Sequence, residues 1–192
     1  MKFVLPIIQL NKIMMIKILI AVAIVVAVFF VIVSLQPSEG RITRERVMPV
    51  PGKAVFEQVN DFHKWQTWSP WAKRDPAAKN RFEGAASGKG AIFAWEGNKE
   101  VGAGRMTILE SRPAELVRIK LEFFKPFASV SDAEFAFKPE GNQTKVTWTM
   151  TGKRPFMAKM FCMFVDMDKM VGGDFEKGLA GMESEAQKSA KM

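Results

Sequence analysis

The chain has 192 residues, of which 48% are apolar and 25% are charged, a composition that is ordinary for globular proteins and excludes a mainly disordered chain. It contains one His, one Cys and no Tyr, which argues against a zinc site and excludes a disulfide within the chain. We therefore predict no metal and no cofactor. Any acid or base catalysis has to use His63, a carboxylate or a lysine.

Residues 1–17 form a short N-terminal segment, and the apolar run that follows, from Ile18 to Leu35, contains no charge and only one polar residue, Ser34. A helix of this length spans roughly 27 Å, close to the hydrocarbon core of a bilayer. We predict a single transmembrane helix that is continuous over residues 13–35. It should stop by Leu35 or Gln36, because the residue before Pro37 is biased away from helix.

A cleaved signal peptide is the alternative to an uncleaved anchor. Signal peptides have a shorter apolar region and a cleavage site between small residues, and neither feature is found here. Basic residues are nearly balanced across the run, with three lysines before it and Arg41, Arg44 and Arg46 after it. Lys17 borders the run directly, which favours an N-terminus inside and a domain on the exported side. Met14 and Met15 offer a second plausible start, and in that case Lys17 alone would carry the charge argument.

Residues 36–40 are a polar linker, and residues 41–192 are long enough for one domain with its own core. Its basic residues are scattered singly, which favours a solvated surface over a nucleic-acid groove. We expect no nucleic-acid partner. A mildly basic surface is compatible with anionic lipid headgroups, and the sequence identifies no protein partner.

Within the domain the hydrophobic pattern changes from strand to helix, to strands, and to helix again. Alternation such as that of Val117, Ile119 and Leu121 indicates antiparallel strands with one apolar face. The predicted elements are a strand at 41–50, a helix at 51–61, an aromatic, turn-rich segment at 62–76, strands at 90–95, 104–111, 117–123, 133–137 and 146–150, turns at 96–99 and 139–143, and a helix at 155–188. Gly172 and Gly173 interrupt the last helix and predict a kink or a close approach there. The predicted fold class is α+β, a curved antiparallel sheet around one long C-terminal helix.

Short motifs in this order carry a resemblance that spans residues 41–185. They are Val55-Phe56, Trp65-x-x-Trp68-Ser69-Pro70-Trp71, Trp95-x-Gly97-Asn98, Gly102-x-Gly104-Arg105-Met106, Thr144-x-Val146-x-Trp148 and Gly172-x-Asp174-Phe175. The chain resembles the START-like (SRPBCC) superfamily, and within it the polyketide cyclase/dehydrase-like branch that follows a single N-terminal membrane helix in bacteria. The resemblance implies a helix-grip fold with a cavity between sheet and helix that takes lipids or other apolar molecules. It supplies no catalytic residues.

The candidate ligand contacts are the large apolar side chains that should face this cavity. Methionine and aromatic side chains suit a surface that accepts varied apolar ligands, but they suit an ordinary core equally well. The candidates are Trp68, Trp71, Trp95, Met106, Phe123, Phe135, Trp148, Met150, Phe161, Phe164 and Met167.

Other reactive residue types give weaker signals. His63 is predicted to be structural or on the surface, because no nucleophile motif accompanies it and Asp61 lies too near in sequence to be an obvious orienting group. Cys162 lies among apolar residues and is expected to be an inert thiol. The acidic residues Asp166, Asp168, Asp174 and Glu176 are expected on a solvated helix face with Lys169 and Lys177, since the calcium-loop pattern is missing.

Three functions remain open. The first is a membrane-anchored binding domain for a lipid or another apolar small molecule. The second is an enzyme of the cyclase or dehydratase kind that uses a carboxylate or His63 in the cavity. The third is a protein-interaction module with a filled core and no ligand, in which case the inner face would be packed to normal density.

Overall fold

A computed structural model describes the backbone of residues 5–191 and the side chains of residues 12–191. The described residues form two units: the chain up to Ser38 together with Arg154–Val165, called the N-terminal unit, and Glu39–Lys153 together with the residues from Asp166 onward, called the sheet unit. The predicted limits of the linker and the domain stay predictions.

The N-terminal unit consists of two helices, α1 (Leu5–Leu35) and α5 (Phe156–Cys162). Helix α1 is continuous and ends at Leu35, as predicted from Pro37. Its stretch Lys12–Leu35 is long and apolar enough to cross a membrane. A signal sequence near an N-terminus passes the same test of length and composition.

The sheet unit is built on seven antiparallel strands, and the predicted fold class is confirmed. Their order across the sheet is β1-β7-β6-β5-β4-β3-β2. The strands are β1 (Glu39–Met48), β2 (Lys79–Gly84), β3 (Ala91–Glu96), β4 (Ala103–Arg112), β5 (Leu116–Lys125), β6 (Ser129–Glu140) and β7 (Gln143–Lys153).

Four helices accompany this sheet: α2 (Gly52–Asn60), α3 (Phe62–Trp68), α4 (Pro70–Arg74) and α6 (Met167–Ala190). Helix α6 contacts β1 and the three short helices, while α2 contacts β5, β6 and β7. The core lies between this helical layer and the sheet, where Phe135, Trp148 and Phe175 are almost fully buried.

The turn-rich interpretation of residues 62–76 is wrong, because two short helices form there. Asp61 begins α3 by accepting a hydrogen bond from the backbone N–H of His63, and Pro70 occupies the first turn of α4, where its missing N–H costs nothing. Strand β2 was not predicted at all. It pairs with β3 at the sheet edge, and all six of its residues are exposed.

The single C-terminal helix predicted over 155–188 is also wrong in detail, because it is divided into α5 and α6. The break lies at residues 163–166, where Asp166 caps α6 by accepting a hydrogen bond from the backbone N–H of Lys169. Gly172 and Gly173 lie inside α6 and do not interrupt it. The hairpin turn between β6 and β7 is shorter than predicted and is formed by Gly141 and Asn142, with Gly141 at a φ of 61°.

Candidate functional site

The register of the strands determines which residues lie side by side on the inner face of the sheet, because alternate side chains of a strand point to the same face. One row across the strands contains Arg44, Trp148, Phe135 and Val117, and we call it the Trp148 row. The next row contains Ile42, Met150, Ala133, Ile119 and Ile108. Two further rows lie towards one end of the sheet, and they differ from the first two in composition and burial.

We call these the two end rows. The Leu121 row contains Gly40, Gly152, Ser131, Leu121, Met106, Phe93 and Phe82. The Phe123 row contains Ser129, Phe123, Gly104, Trp95 and Asn80. Small residues occupy the part of these rows on β1, β7 and β6, and large apolar residues occupy the part on β5, β4 and β3 except at Gly104.

The Trp148 row belongs to a filled aromatic cluster. The ring of Trp148 stacks on Phe175 of α6, with centroids 3.9 Å apart and an angle of 5° between the planes. Trp68, Trp71 and Phe135 pack around Trp148 at centroid distances of 5.9, 6.0 and 4.7 Å. The structure therefore places these four candidate contacts, Trp68, Trp71, Phe135 and Trp148, side by side in the core.

The end rows leave large apolar side chains half-buried, among them Trp95, Leu121 and Phe123. The indole of Trp95 lies over Gly104, where an added Cβ would be 2.5 Å from the ring, and it meets Phe123 edge to face at 6.1 Å. Its Nε1–H donates to the carbonyl of Val101 at 3.0 Å. The orientation of Trp95 is thus fixed by both its neighbours and a hydrogen bond.

The remaining candidates are distributed as follows. Met106 lies in the Leu121 row and is buried, and Met150 is half-buried in the row beside it. Met167 is the first residue of α6 and is half-buried. Phe161 and Phe164 belong to the N-terminal unit, where both are exposed. The role of each as a ligand contact stays a prediction.

The end rows contain no carboxylate, histidine or lysine. They can bind apolar surface, but proton transfer needs a titratable group within hydrogen-bond reach. Within the described side chains, no cluster of His, Cys, Asp and Glu that could hold a metal ion is present.

His63 is exposed at the start of α3, near the sheet edge. Its ring stacks on Phe82, which ends the Leu121 row, with centroids 4.0 Å apart. Its Nδ1 lies 3.0 Å from Oδ1 of Asp61. Asp61 was not expected to orient His63, because the two residues lie close together in the sequence. A residue that caps a short helix can, however, also reach the side chain two positions later. An acidic N-cap two residues before a histidine is the signal that could have revealed this pair.

Asp168, Asp174 and Glu176 of α6 are paired with arginines, which the sequence did not predict; Asp168 and Glu176 are nevertheless exposed as expected, whereas Asp174 is buried. The Arg44 guanidinium donates to Asp168 at 2.9 Å and to Glu176 at 2.8 Å, and Arg74 donates to Asp174 at 2.5 Å. The hydrogen bond from Arg44 lowers the pKa of Asp168, and the same pairing raises the pKa of Arg44. The positive charge that Arg44 brings to the inner face is therefore neutralised by the carboxylates of Asp168 and Glu176.

Two surface grooves lie elsewhere on the sheet unit. One, of about 520 Å³, runs between α2 and the loops before β3 and β5 and is lined by charged residues such as Lys53, Glu57 and Lys64. The other, of about 350 Å³, lies beside Trp68, Pro70 and Lys177. No residue of the end rows lines either groove, so the grooves and the apolar rows are separate features.

A curved antiparallel sheet that holds a long C-terminal helix, with an aromatic core between them, defines the helix-grip class of proteins. Residues 39–187 match the family described as polyketide cyclase / dehydrase and lipid transport, and the chain belongs to this family. The sequence matches none of the curated proteins with which it was compared.

Solved structures support the same fold at low sequence identity. A protein from Rhizobium leguminosarum is 15% identical and superimposes with a TM-score of 0.58, over 78% of this chain and 95% of its own. Major latex-like protein 151 from Panax ginseng is 12% identical, with a TM-score of 0.57 over 78% of this chain and 99% of its own. The di-domain ARO/CYC protein StfQ of the steffimycin biosynthetic pathway is 9% identical, with a TM-score of 0.56 over 80% of this chain and 52% of its own.

Proposed function

We propose that this protein is a membrane-anchored domain that binds a lipid or another apolar small molecule on the two end rows of its sheet. The observation that carries the proposal is that Trp95, Leu121 and Phe123 stay half-buried beside the small residues Ser131 and Gly152. Large apolar side chains next to small residues supply the apolar lining that sites for apolar ligands use.

The driving force for such binding is the removal of apolar surface from water, at about 25 cal/mol per Å². The end rows contain no charged side chain, so no charge loses its hydration when an apolar molecule covers these rows. The family description, which names lipid transport, supports the same class of ligand. The proposed contacts are Trp95, Met106, Leu121 and Phe123, with Met150 next to them.

We propose that α1 provides the anchor and stays attached to the mature protein. Its stretch Lys12–Leu35 has the length and apolar character of a membrane span. A ligand that comes from the bilayer would then reach the tethered domain without a long path through water. Lys12 and Lys17 precede the uncharged run Ile18–Leu35, which supports a sheet unit on the exported side.

The test compares two adjacent residues of β5. Phe123 lies in the Phe123 row and contacts Trp95, whereas Phe124 is the extra residue where the pairing with β4 shifts, and its side chain is exposed. The full chain, purified in detergent and moved into phosphatidylcholine nanodiscs, is extracted with organic solvent, and the extract is compared with that of empty nanodiscs by mass spectrometry. We expect an extra apolar compound from the wild type and from Phe124→Arg, and its loss from Phe123→Arg.

Thermal unfolding of both variants shows whether the sheet is intact. Equal extracts from the wild type, Phe123→Arg and empty nanodiscs, with all proteins folded, would contradict binding at the end rows.

The filled aromatic cluster favours a second candidate, an interaction module without a ligand. The ring of Trp148 stacks on Phe175, and Trp65 packs on Trp68 at 4.4 Å, so aromatic rings are in direct contact in this part of the core. The same extraction distinguishes the two candidates, because an interaction module returns no compound from any variant.

A further inference from the structure

We propose that one face of α5 and of the turn that follows it lies in the interfacial layer of the bilayer, beside the end of α1. This proposal rests on the proposed membrane span. It concerns three side chains of the N-terminal unit that are strongly exposed although they are large and apolar: Met157 at 66%, Phe161 at 53% and Phe164 at 77%.

These three side chains form one face. They are spaced by four and then three residues, and such positions lie on the same side of a helix. The helical turn continues past Cys162, because the backbone N–H groups of Phe164 and Val165 both donate to the carbonyl of Phe161. Exposure of a whole apolar face in water is unfavourable, so a contiguous patch of this kind indicates an interaction surface.

Contacts within the N-terminal unit hold this segment at the end of α1. The ring of Phe156 stacks on Phe30, with centroids 5.5 Å apart and an angle of 11° between the planes. The Lys159 ammonium donates to the carbonyl of Ser34 at 3.2 Å, and the backbone N–H of Arg154 donates to the carbonyl of Ser38 at 2.7 Å. Helix α5 is therefore attached to the last turns of the apolar helix.

The depth of these contacts fits an interfacial position. Phe30 lies five residues before Leu35, which corresponds to about 7 Å along a helix axis. Amphipathic segments at an interface bury their apolar face by about 5–10 Å. A segment that stacks on Phe30 and reaches the carbonyl of Ser34 would lie at this depth if α1 ends at the membrane surface near Leu35.

The charges of the segment suit an anionic lipid surface. Residues 154–165 contain two basic residues, Arg154 and Lys159, and no Asp or Glu. Basic side chains next to an apolar face are typical of segments that bind headgroups while their apolar side chains enter the acyl region. The occupant of this face is therefore a lipid surface.

The test measures the depth of a fluorescent label. Cys162 is the only cysteine of the chain, so Cys162→Ser gives a background without cysteine. In it, Phe164→Cys or Met157→Cys is labelled with a nitrobenzoxadiazole group, and Val25→Cys in the middle of α1 serves as the deep reference. The full chain is reconstituted into phosphatidylcholine vesicles that contain phosphatidylglycerol, with bromine on the acyl chains either near the headgroup or near the chain end.

We expect lipids brominated near the headgroup to quench the labels at 164 and 157 most strongly, and lipids brominated near the chain end to quench the label at 25. If the label at 25 is quenched while those at 164 and 157 respond only to a water-soluble quencher, α1 spans the membrane but the interfacial role of α5 is wrong. A label at 164 that is shielded from both lipid and water would agree with the predicted pocket role of Phe164, and it too would overturn the proposal. No quenching at 25 would contradict the membrane span itself.

Discussion

Arg44 is one of two arginines of β1 that pair with carboxylates of α6, the other being Arg46, which pairs with Glu183. Arg44 stands in the Trp148 row, yet its guanidinium is directed to Asp168 and Glu176 rather than to the aromatic rings of that row. The three side chains are largely open to solvent or at its border, where ion pairs contribute little to stability. Their main effect is to fix where the first turns of α6 lie on the sheet.

The pKa of Asp168 tests this pairing. In Arg44→Gln the hydrogen bond that lowers the pKa of Asp168 is lost, so we expect this pKa to rise to the ordinary range of an aspartate. Because the pKa of Asp168 is lowered by folding, its small stabilising effect is present above the unfolded-state pKa and is lost as the pH falls through the folded-state pKa. The measurement is a carboxyl-carbon NMR titration of the full chain in micelles.

Glu122 is the control for this titration. Its pKa is lowered by hydrogen bonds from Lys120 and Arg105, neither of which contacts Arg44. We expect the pKa of Glu122 to be the same in both proteins. An Asp168 that titrates identically with and without Arg44 would refute the pairing.

At the scale of the element, α6 contains a matched pair of glycines. A Cβ at Gly172 would overlap the Arg44 guanidinium, whereas nothing lies within 4 Å of a Cβ at Gly173. Alanine is favoured over glycine in a helix by about 1 kcal/mol. We therefore expect Gly173→Ala to raise the free energy of unfolding by about 1 kcal/mol, measured by denaturant unfolding monitored by circular dichroism. Gly172→Ala should raise it by less, because the Arg44 guanidinium has to move away from the new methyl group.

The double variant isolates the cause. In an Arg44→Ala background the space at Gly172 is free, so Gly172→Ala should now gain about the same 1 kcal/mol. If Gly172→Ala stabilises the protein equally in both backgrounds, Arg44 does not restrict this position.

A helix or strand could be predicted from the sequence where its apolar residues recur at regular spacing. Strands such as β5, with Val117, Ile119 and Leu121 on one face, were predicted closely because the alternation is unbroken. Strand β2 was missed because its six residues, KNRFEG, are all exposed and contain only one large apolar side chain. The apolar stripe runs through both α5 and α6, so periodicity alone could not reveal the break. Only the capping role of Asp166 marks it.

The candidate site could be predicted only in part, for a reason that appears at the scale of the whole molecule. Inward-facing apolar residues are readily recognised in a sequence, but core and pocket wall use the same residue types. Trp148 and Trp95 both occupy inward-facing positions in strands whose apolar residues alternate. Trp148 is nevertheless enclosed by aromatic rings, whereas Trp95 is half-buried. The difference depends on which row each residue joins, and the rows follow from the pairing of distant strands.

The protein combines a helix-grip domain of the polyketide cyclase / dehydrase and lipid transport family with an apolar helix near the N-terminus. We propose that the helix keeps the domain at a membrane and that the end rows hold an apolar ligand there. In this proposal the aromatic cluster around Trp148 supports the sheet, and the end rows next to it bind the ligand.

Fluorine NMR of the tryptophans tests the central claim most directly. The chain contains five tryptophans, so a full chain labelled with 5-fluorotryptophan in phosphatidylcholine nanodiscs should give five signals that are assigned by substitution. On titration with lauric acid, an apolar probe with a single chain, the account predicts a saturable shift of the Trp95 signal. The signals of Trp65, Trp68 and Trp148 should stay in place, and Phe123→Arg should abolish the shift. A Trp95 signal that does not respond, or a response confined to Trp68 and Trp148, would contradict it.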